Sequence, residues 1–297
     1  MKKTGFIAIV GRPNVGKSTL LNALVGEKLA IVSRKPQTTR NKITGILTKG
    51  ETQYVFMDTP GMHTPKTKLG DRMIEQTNSA LSGVDAAILI VEPVAKPGDI
   101  ELGLIKKIKA GKIPCILAVN KVDRSNPNII GDTIKAYAEI HDFDAVVPMA
   151  AIKNKGVDTL LAEVDKFMTE GNWFFDEDAI TDQPERVIAA EIIREKILRT
   201  CDDEIPHGTA VVIEEFKEEG KMIRIRAEIF CEKATHKGII IGKNGAQLKL
   251  IGSRAREDLE RFFGTKIFLD LWVKVKENWR NSDVLLANFG FNRTDEQ

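Results

Sequence analysis

The feature that most restricts the fold of this chain lies at its start. Residues 11–18 read GRPNVGKS, which has the pattern G-x-x-x-x-G-K-S, and they stand between an apolar run, Phe6–Val10, and a helix-like segment, Ser18–Val25. In that setting successive backbone N–H groups can surround phosphate oxygens, and the helix N-terminus adds positive potential. The sequence therefore predicts a phosphate-binding loop made of Gly11, Arg12, Pro13, Asn14, Val15, Gly16, Lys17 and Ser18. In such a loop Lys17 reaches the β- and γ-phosphates and the Ser18 hydroxyl binds Mg²⁺.

The first half of the chain alternates apolar runs with amphipathic stretches. Alternation of this kind predicts an α/β fold with right-handed crossovers and a mostly parallel, six-stranded sheet. The predicted strands are Phe6–Val10, Ile43–Leu47, Tyr54–Met57, Ala86–Val91, Cys115–Val119 and Ala145–Val147. The connection Lys49–Glu51 is too short for a crossover, so the second and third strands should pair antiparallel.

A second motif indicates which base the site takes. Asn120, Lys121, Val122 and Asp123 follow the apolar strand Cys115–Val119 at its carboxyl end, where open α/β sheets bind ligands. A carboxylate at Asp123 can accept from the ring N–H and the exocyclic amine of guanine, and adenine has no such pair of donors. We therefore expect GTP or GDP, with Asn120 bracing the loop and the stem of Lys121 covering the base.

Two further segments supply candidate groups around the γ-phosphate. Asp58, Thr59, Pro60 and Gly61 follow the strand Tyr54–Met57; Asp58 can hold Mg²⁺ through water, and the Gly61 N–H can contact the γ-phosphate. Loss of that phosphate would release the next loop. The polar loop Gln37–Arg40 contains Thr38 and Thr39, and either one could complete the Mg²⁺ coordination.

Length and composition exclude several other classes of protein. The chain has 297 residues, and at roughly 150 residues per domain this suggests two domains. Its three cysteines lie far apart, without a CxxC pair, which argues against a disulfide framework or a zinc site and favours a cytosolic protein. The run Ala86–Val91 is far shorter than the about 20 apolar residues of a transmembrane helix.

The second half of the chain has a different order of elements. Residues 172–184 contain aromatic and acidic residues and a proline, and we interpret them as a linker between a domain of residues 1–171 and one of residues 185–297. Beyond the linker a helix precedes two alternating strands, two helical segments, a strand and a last helix, which is an α+β pattern. The predicted elements are Glu185–Arg199, His207–Lys217, Lys221–Cys231, Lys233–Gly242, Ala246–Phe263, Thr265–Val275 and Asn281–Asn288.

A G-x-x-G loop joins the two consecutive helical segments of this second half. Such a loop lets nucleic-acid phosphates approach the backbone closely, beside a groove for about four nucleotides. The candidate RNA-binding residues are Gly238, Ile241, Gly242, Lys243, Asn244, Gly245, Lys249 and Arg280, with Lys237 as a further phosphate ligand. We expect Ile239–Ile241 and Leu248 to line the groove floor. Trp279 could stack on a base or belong to the core.

The charge distribution supports this interpretation. The formal net charge of the chain is only +2, but residues 233–280 hold eleven basic and five acidic residues, whereas residues 173–232 hold eight and sixteen. The basic stretch coincides with the G-x-x-G segment. The small net charge is thus a cancellation between regions.

Taken together, these motifs resemble the GTPases of the Era, EngA and TrmE type, and a P-loop GTPase followed by a type II KH domain resembles the Era family. The segments QTTRN and VKVKENWR carry the same resemblance. It implies that Thr39 is the threonine that binds Mg²⁺ and that residues 149–151 form the fifth nucleotide motif. Ala150 stands where serine is usual, so a backbone N–H of Ala150 or Ala151 would contact guanine O6.

The resemblance also implies partners and a catalytic feature. It implies a monomer that binds the 3′ end of 16S rRNA, assists assembly of the 30S subunit, and associates peripherally with the cytoplasmic membrane. Met62 occupies the position at which Ras-type GTPases have the water-orienting glutamine, so intrinsic hydrolysis should be slow. Asn14 could compensate by holding K⁺ near the β- and γ-phosphates, or it could simply be a good turn residue. His63 is another candidate for positioning water.

Two other classes of function remain open from the sequence. One is a tRNA- or membrane-directed GTPase whose second domain binds protein. The other is a P-loop kinase or ATPase, which the motif at Asn120–Asp123 argues against.

Overall fold

The structure, a computed structural model, describes residues 1–33, 35, 38–62, 65–94, 96–201 and 205–292. Its contacts divide the chain into two compact units. The first comprises residues 1–30, 39–64 and 73–182, and the second comprises residues 31–38, 65–72 and 183–297. As predicted, the first unit is an α/β domain and the second an α+β domain.

The sheet of the first unit has the strand order β2-β3-β1-β4-β5-β6, with β7 paired to β1. Its strands are β1 (Lys3–Val10), β2 (Ile43–Lys49), β3 (Thr52–Asp58), β4 (Ala86–Val91), β5 (Cys115–Val119), β6 (Ala145–Pro148) and β7 (Thr169–Glu170). The strands are parallel except β2, which forms the predicted antiparallel hairpin with β3, and β7. The prediction of six strands was therefore one short, because β7 is two exposed residues with no apolar run.

Helices cover both faces of this sheet, which explains why its strands are continuous apolar runs. The helices of this half are α1 (Lys17–Val25), α2 (Lys68–Ala80), α3 (Asp99–Gly111), α4 (Pro127–Ala138) and α5 (Val157–Asp165). The side chains of β4 show the arrangement: Ile88 and Ile90 belong to one hydrophobic cluster, and Leu89 and Val91 to another. The carboxyl ends of β1, β3 and β5 are thereby fixed for the loops that follow them.

Most of the predicted linker belongs to the first unit. The Oε1 atom of Gln53 in β3 accepts hydrogen bonds from the backbone N–H groups of Phe174 and Phe175, both at 3.0 Å, and its amide donates to Phe175 O at 3.0 Å. The N–H of Ile46 donates to Ile180 O at 2.9 Å. The division between the units therefore falls after Asp182. Composition suggested a linker because this segment gains its order from tertiary hydrogen bonds and not from periodicity.

The second unit contains a three-stranded sheet of order β10-β9-β8. Its elements are α6 (Glu185–Thr200), β8 (Ala210–Glu219), β9 (Met222–Cys231), α7 (Ala234–Ile241), α8 (Ala246–Phe263), β10 (Lys266–Val275) and α9 (Asp283–Asn288). Strands β8 and β9 are antiparallel, whereas β9 and β10 are parallel over ten residues. This is the predicted order of helix, two strands, two helices and strand.

The core of the second unit forms between this sheet and helices α6 and α8. Ile193 and Ile197 of α6 and Ile251, Ala255 and Leu259 of α8 are completely buried in one cluster. Within the described parts of the chain, no helix has both the length and the apolar character that crossing a membrane requires.

Candidate functional site: a nucleotide pocket and a G-x-x-G groove

The phosphate loop between β1 and α1 holds Lys17 inside its own curve. The Lys17 ammonium donates to Gly11 O at 3.1 Å and to Arg12 O at 2.8 Å, and the side chain is almost fully buried. Burial lowers the pKa of Lys17 to about 8, and the neighbouring Asp58 carboxylate opposes that shift. A cation is therefore already positioned where the loop would surround phosphate oxygens.

The three predicted Mg²⁺ ligands lie together beside that lysine. Ser18 Oγ donates to Asp58 Oδ2 at 2.7 Å and lies 2.8 Å from Thr39 Oγ1, and Thr39 Oγ1 donates to Asp58 Oδ2 at 3.3 Å. Burial raises the pKa of Asp58 to about 6, against the opposing effect of Lys17 and these hydrogen bonds. The second carboxylate oxygen, Asp58 Oδ1, is buried without a hydrogen-bond partner among the described residues.

This donor set fits a hard divalent cation. Two hydroxyls and a carboxylate are oxygen ligands of the kind that Mg²⁺ prefers, and Mg²⁺ commonly keeps few protein ligands and binds phosphate oxygens as well. The hydroxyl of Thr38, the alternative threonine, instead donates to Lys35 O at 2.6 Å. The geometry thus favours Thr39, as the family resemblance implied.

The segment after β3 packs directly against the phosphate loop. Thr59 Oγ1 donates to Ile9 O at 2.9 Å, and Pro60 O accepts from Thr77 Oγ1 at 3.0 Å. A Cβ atom on Gly61 would lie 2.7 Å from Pro13 Cα and 2.8 Å from Pro13 N. Only glycine therefore allows the backbone of residue 61 to approach the loop this closely.

Asn120 joins three parts of the pocket through its side-chain amide, as a bracing residue would. Its Nδ2 atom donates to Val15 O at 2.8 Å, and its Oδ1 atom accepts from the N–H of Ala151 at 2.9 Å. Lys121 lies alongside, and its ammonium donates to Asn14 O at 2.6 Å and forms an ion pair with Glu92. Hydrogen bonds of the protein itself therefore connect the phosphate loop with the loops that contain Asn120 and Ala151.

Asp123, the predicted guanine reader, has one engaged and one unengaged oxygen. Its Oδ2 atom lies 3.2 Å from the ammonium of Lys153, whereas Oδ1 is buried without a hydrogen-bond partner among the described residues. The N–H of Ala150 donates to Lys155 O at 2.9 Å and that of Ala151 to Asn120. The predicted contact of either N–H with guanine O6 thus stays a prediction, and it requires sharing or replacing one of these bonds.

Asn14 and Met62, which bear on the predicted rate of hydrolysis, have different surroundings. Asn14 has φ of 65°, a left-handed conformation that asparagine tolerates better than most residues, so its identity has a backbone reason independent of K⁺. The Met62 side chain packs against the apolar cluster formed by β4, β5 and α3. His63 and Gln37 lie outside the described residues.

In the second unit the G-x-x-G loop connects α7 to α8. Gly242 has φ of 73°, and a Cβ atom there would lie 2.7 Å from Gln247 Cβ. Gly245 also has a positive φ, of 77°, but open space around it. Beside the loop, α8 and β10 bound an open groove of about 520 Å³. Its lining residues are Gly245, Leu248, Lys249, Gly252, Ser253, Arg256, Leu269 and Leu271.

The predicted RNA-binding residues take different positions around this groove. Lys237, Lys243, Asn244 and Lys249 are exposed. Leu248 lines the groove as predicted. The remaining candidates of α7 fit less well, because Ile240 is buried in the core, Ile241 packs partly against it, Ile239 is 53% exposed, and Gly238 has open space around it.

The structure decides the role of Trp279. It is completely buried, and its Nε1 atom donates to Gly208 O at 2.9 Å, so Trp279 is a core residue and not a stacking residue. The adjacent Arg280 is half-buried and forms an ion pair with Glu232. Its prediction as an RNA ligand remains, but its guanidinium already has an acidic partner.

Several charged contacts of the nucleotide pocket were not predicted, and two of them involve predicted site residues. One is the ion pair of Lys153 with Asp123, and the other joins Arg12 of the phosphate loop to Glu101 of α3. Both pairs link residues far apart in sequence, so no local pattern could have indicated them.

Comparison with known proteins agrees with the two-domain organisation. A family model described as a 50S ribosome-binding GTPase matches residues 6–121, and a KH domain model matches residues 204–280. Among curated proteins, the chain is 51% identical to GTPase Era of Ruminiclostridium cellulolyticum over 290 residues, which cover 97% of each chain. It is 49% identical to GTPase Era of Clostridioides difficile over 295 residues, covering 98% of this chain and 99% of that protein. The chain belongs to the Era family of GTPases.

Solved structures of Era have the same architecture. The chain superposes with a TM-score of 0.93 and 38% identity on a variant of Aquifex aeolicus Era bound to GDP and AlF4⁻, covering 97% of this chain and 99% of that one. It superposes equally well on Era in complex with MgGDPNP and nucleotides 1506–1542 of 16S ribosomal RNA, covering 98% and 99%. Membership of the Era family thus extends over nearly the whole chain.

Proposed function

We propose that this protein is a GTP-dependent RNA-binding switch that binds the 3′ region of 16S rRNA through its KH domain and assists assembly of the 30S ribosomal subunit. The observation that carries the enzymatic half is the convergence of Ser18, Thr39 and Asp58 beside the Lys17 ammonium. The RNA half is supported by the G-x-x-G groove, with its exposed lysines, and by the similarity to Era bound to nucleotides 1506–1542 of 16S rRNA.

In this proposal the chain's own residues bind and orient the nucleotide. The loop of residues 11–18 binds the phosphates, Asp123 accepts from guanine, and Ser18, Thr39 and Asp58 hold Mg²⁺, which supplies charge neutralisation on the β- and γ-phosphates when bound. Gly61, through its N–H, senses the γ-phosphate. Hydrolysis is slow because the thioether of Met62 cannot orient water, and K⁺ held by Asn14 would compensate.

The predicted recognition of guanine by Asp123 can be tested with a single substitution. An amide at position 123 can donate to the 2-carbonyl of xanthine, whereas the native carboxylate accepts from the 2-amino group of guanine. We expect Asp123→Asn to weaken GDP binding strongly and to gain binding of xanthosine diphosphate. The matched control is Asp132→Asn, the same change of carboxylate to amide at an exposed position of α4. Tight ATP binding by the native protein would support the kinase or ATPase alternative.

The RNA half needs its own test. Lys243→Asp reverses a charge within the G-x-x-G loop, and Lys221→Asp reverses an exposed charge at the turn between β8 and β9. Filter binding to an RNA with the sequence of nucleotides 1506–1542 of 16S rRNA should show a large loss for the first variant only. Equal binding by both variants would favour a protein-binding role for the second domain.

The switch itself makes a reciprocal prediction. GTP is expected to order the loops at residues 35–41 and 62–77, parts of which lie outside the described residues, and hydrolysis would release them. RNA must then change GTP affinity by the same factor by which GTP changes RNA affinity. Equal RNA affinity with GDP and with a non-hydrolysable GTP analogue would contradict the switch. Cytoplasmic location, a monomeric state and peripheral membrane association belong to the same proposal.

A further inference from the structure

The outward face of the second unit's sheet carries two exposed aromatic side chains on one strand. Along β10 the odd-numbered residues face the helices: Ile267 and Val273 are buried in the core. The even-numbered residues point the other way, and of these Phe268 is 46% exposed and Trp272 is 58% exposed. Part of this face is covered, since Phe230 of β9 stacks on Phe289 and is buried. Phe268 and Trp272 stay exposed, and exposed positions of a sheet are ordinarily polar, so two large aromatic rings there need an explanation.

Polar contacts hold both rings in place. The Arg224 guanidinium of β9 lies over the Phe268 ring, 4.7 Å from its centroid, and Trp272 Nε1 donates to Asp270 Oδ2 at 2.8 Å. On one strand the two rings are about 13 Å apart, at 3.3 Å per residue. Rings and guanidinium planes held in this way are surfaces on which unpaired bases stack.

The charged side chains on this face are distributed unevenly between the strands. The outward side chains of β9 and β10 include four basic and two acidic residues. The basic residues are Arg224, Arg226, Lys266 and Lys274, and the acidic residues are Glu228 and Asp270. Those of β8, at the opposite edge of the sheet, are Lys217 against Glu215 and Glu219. Two of the basic side chains form ion pairs on this face, Arg224 with Glu219 and Lys274 with Glu228. The net charge of these outward side chains is nevertheless positive on β9 and β10 and negative on β8, so a polyanion is favoured at the β10 side.

The β10 strand is also a wall of the G-x-x-G groove. Leu269 and Leu271 line the groove, and they alternate along the strand with Phe268 and Trp272. Because β10 is the edge strand of the sheet, a chain leaving the groove across that edge meets the outward face after one strand thickness. The groove holds about four nucleotides, and the RNA in our functional proposal is much longer.

We propose that the outward face of β9 and β10, at Phe268, Trp272 and Arg224, is a second RNA-binding surface that stacks unpaired bases flanking the segment in the G-x-x-G groove. The inference rests on the proposed RNA-binding function and adds where the flanking single strand runs. It commits to single-stranded RNA because stacking groups and basic side chains coincide at the edge that borders the groove.

The test compares long and short RNA. The probes are an RNA with the sequence of nucleotides 1506–1542 of 16S rRNA and truncations of it from each end. For the double variant Phe268→Ala/Trp272→Ala we expect about a fivefold to hundredfold loss of affinity for the full RNA. The native protein and the double variant should have equal affinity for the shortest truncation that the native protein still binds. The conservative variant Trp272→Phe should recover most of the loss, and Val284→Ala, which shortens another exposed apolar side chain, should lose nothing.

Stacking also has a direct spectroscopic signature. In a Trp173→Phe background the remaining tryptophans are Trp272 and the buried Trp279, so quenching by RNA reports on Trp272. We expect quenching by the full RNA and none by the shortest binding truncation.

The outcomes separate this proposal from the one on which it rests. Equal affinity of the native protein and the double variant for the full RNA, with native binding intact, would overturn the outward-face surface alone. Failure of the native protein to bind any of the RNAs would overturn both proposals. A change in sedimentation coefficient in the double variant, without a change in RNA affinity, would show that a second copy covers this face and would overturn the RNA assignment.

Discussion

The ammonium of Lys153 lies 3.2 Å from Oδ2 of Asp123, the carboxylate proposed to read guanine. The Asp123 side chain is only 11% exposed, whereas that of Lys153 is 62% exposed. The lysine therefore occupies one of the two acceptor oxygens that guanine needs, and a bound nucleotide must share or displace it.

Lys153→Ala should strengthen the binding of GDP by up to about fivefold, because an ion pair whose lysine is exposed to solvent contributes about 1 kcal/mol or less. Titration with a fluorescent GDP analogue measures this effect, and added salt should shrink it. The matched control is Lys155→Ala, which removes an exposed lysine of the same loop. Weaker GDP binding by Lys153→Ala would mean that Lys153 contacts the bound nucleotide instead.

Arg12→Ala should destabilise the protein by about 3–5 kcal/mol, because it leaves the fully buried carboxylate of Glu101 without its cation. Glu101→Gln should cost less, since an amide oxygen can still accept from the N–H of Gly98, a hydrogen bond that now measures 3.1 Å. Urea unfolding without nucleotide measures both changes. Lys106→Ala, on the exposed side of α3, should stay within about 0.5 kcal/mol of the native protein. Equal losses for the two Arg12–Glu101 variants would contradict this ranking.

Asp58→Asn should stabilise the nucleotide-free protein at neutral pH while removing Mg²⁺-dependent nucleotide binding. Folding raises the pKa of Asp58 from 3.8 to about 6. The native protein therefore loses stability as the pH rises from about 4 to about 6, because the buried carboxyl group becomes charged. At about 1.4 kcal/mol per pKa unit the gain at pH 7.5 is at most about 3 kcal/mol. The loss of the favourable charge beside Lys17 reduces that gain.

The measurement is urea unfolding without Mg²⁺ at pH 4.0 and pH 7.5. The gain should be present at the higher pH and absent at the lower. Asp132→Asn, at an exposed position of α4, should change stability at neither pH. A gain of equal size at both values would show that charge burial at Asp58 is not its cause.

Gly242→Ala should disturb the G-x-x-G groove more than Gly245→Ala does. Both positions have positive φ, which costs about 1–2 kcal/mol for any residue with a Cβ atom. Only at position 242 does the new atom also meet Gln247, at 2.7 Å from its Cβ. Thermal unfolding should rank the losses in that order, and RNA filter binding should follow the same ranking. The reverse ranking would mean that α8 shifts to accommodate the methyl group.

Local patterns in the sequence predicted the elements that carry a strong apolar period. The strands Ala86–Val91 and Cys115–Val119 and the helix Ala246–Phe263 have the predicted bounds, because each is a continuous apolar run or a long amphipathic stretch. Helix α2 was not predicted, because its composition is polar and it begins shortly after the loop that contains Gly61. Strand β7 is too short to have a period.

The same distinction holds for the candidate sites. Ser18, Thr39 and Asp58 could be predicted because each belongs to a motif whose order along the chain reflects the parallel sheet. The positions of Lys153 and Glu101 could not, because they depend on how loops and helices pack around that sheet. Trp279 shows the same limit, since its surroundings alone determine whether an aromatic ring next to basic residues is a base platform or a core side chain.

The pairing of the short β7 with β1 has a consequence for synthesis on the ribosome. The seven described strands of the first sheet have all emerged once residue 170 is outside, whereas the second sheet lacks its edge strand until residues 266–275 have emerged. Domains generally fold as units, with the N-terminal one first. A growing chain should therefore acquire the sheet that supports its nucleotide pocket about a hundred residues before the wall of its RNA groove exists. For that interval a translating ribosome would carry a nascent GTPase that cannot yet bind RNA in this groove.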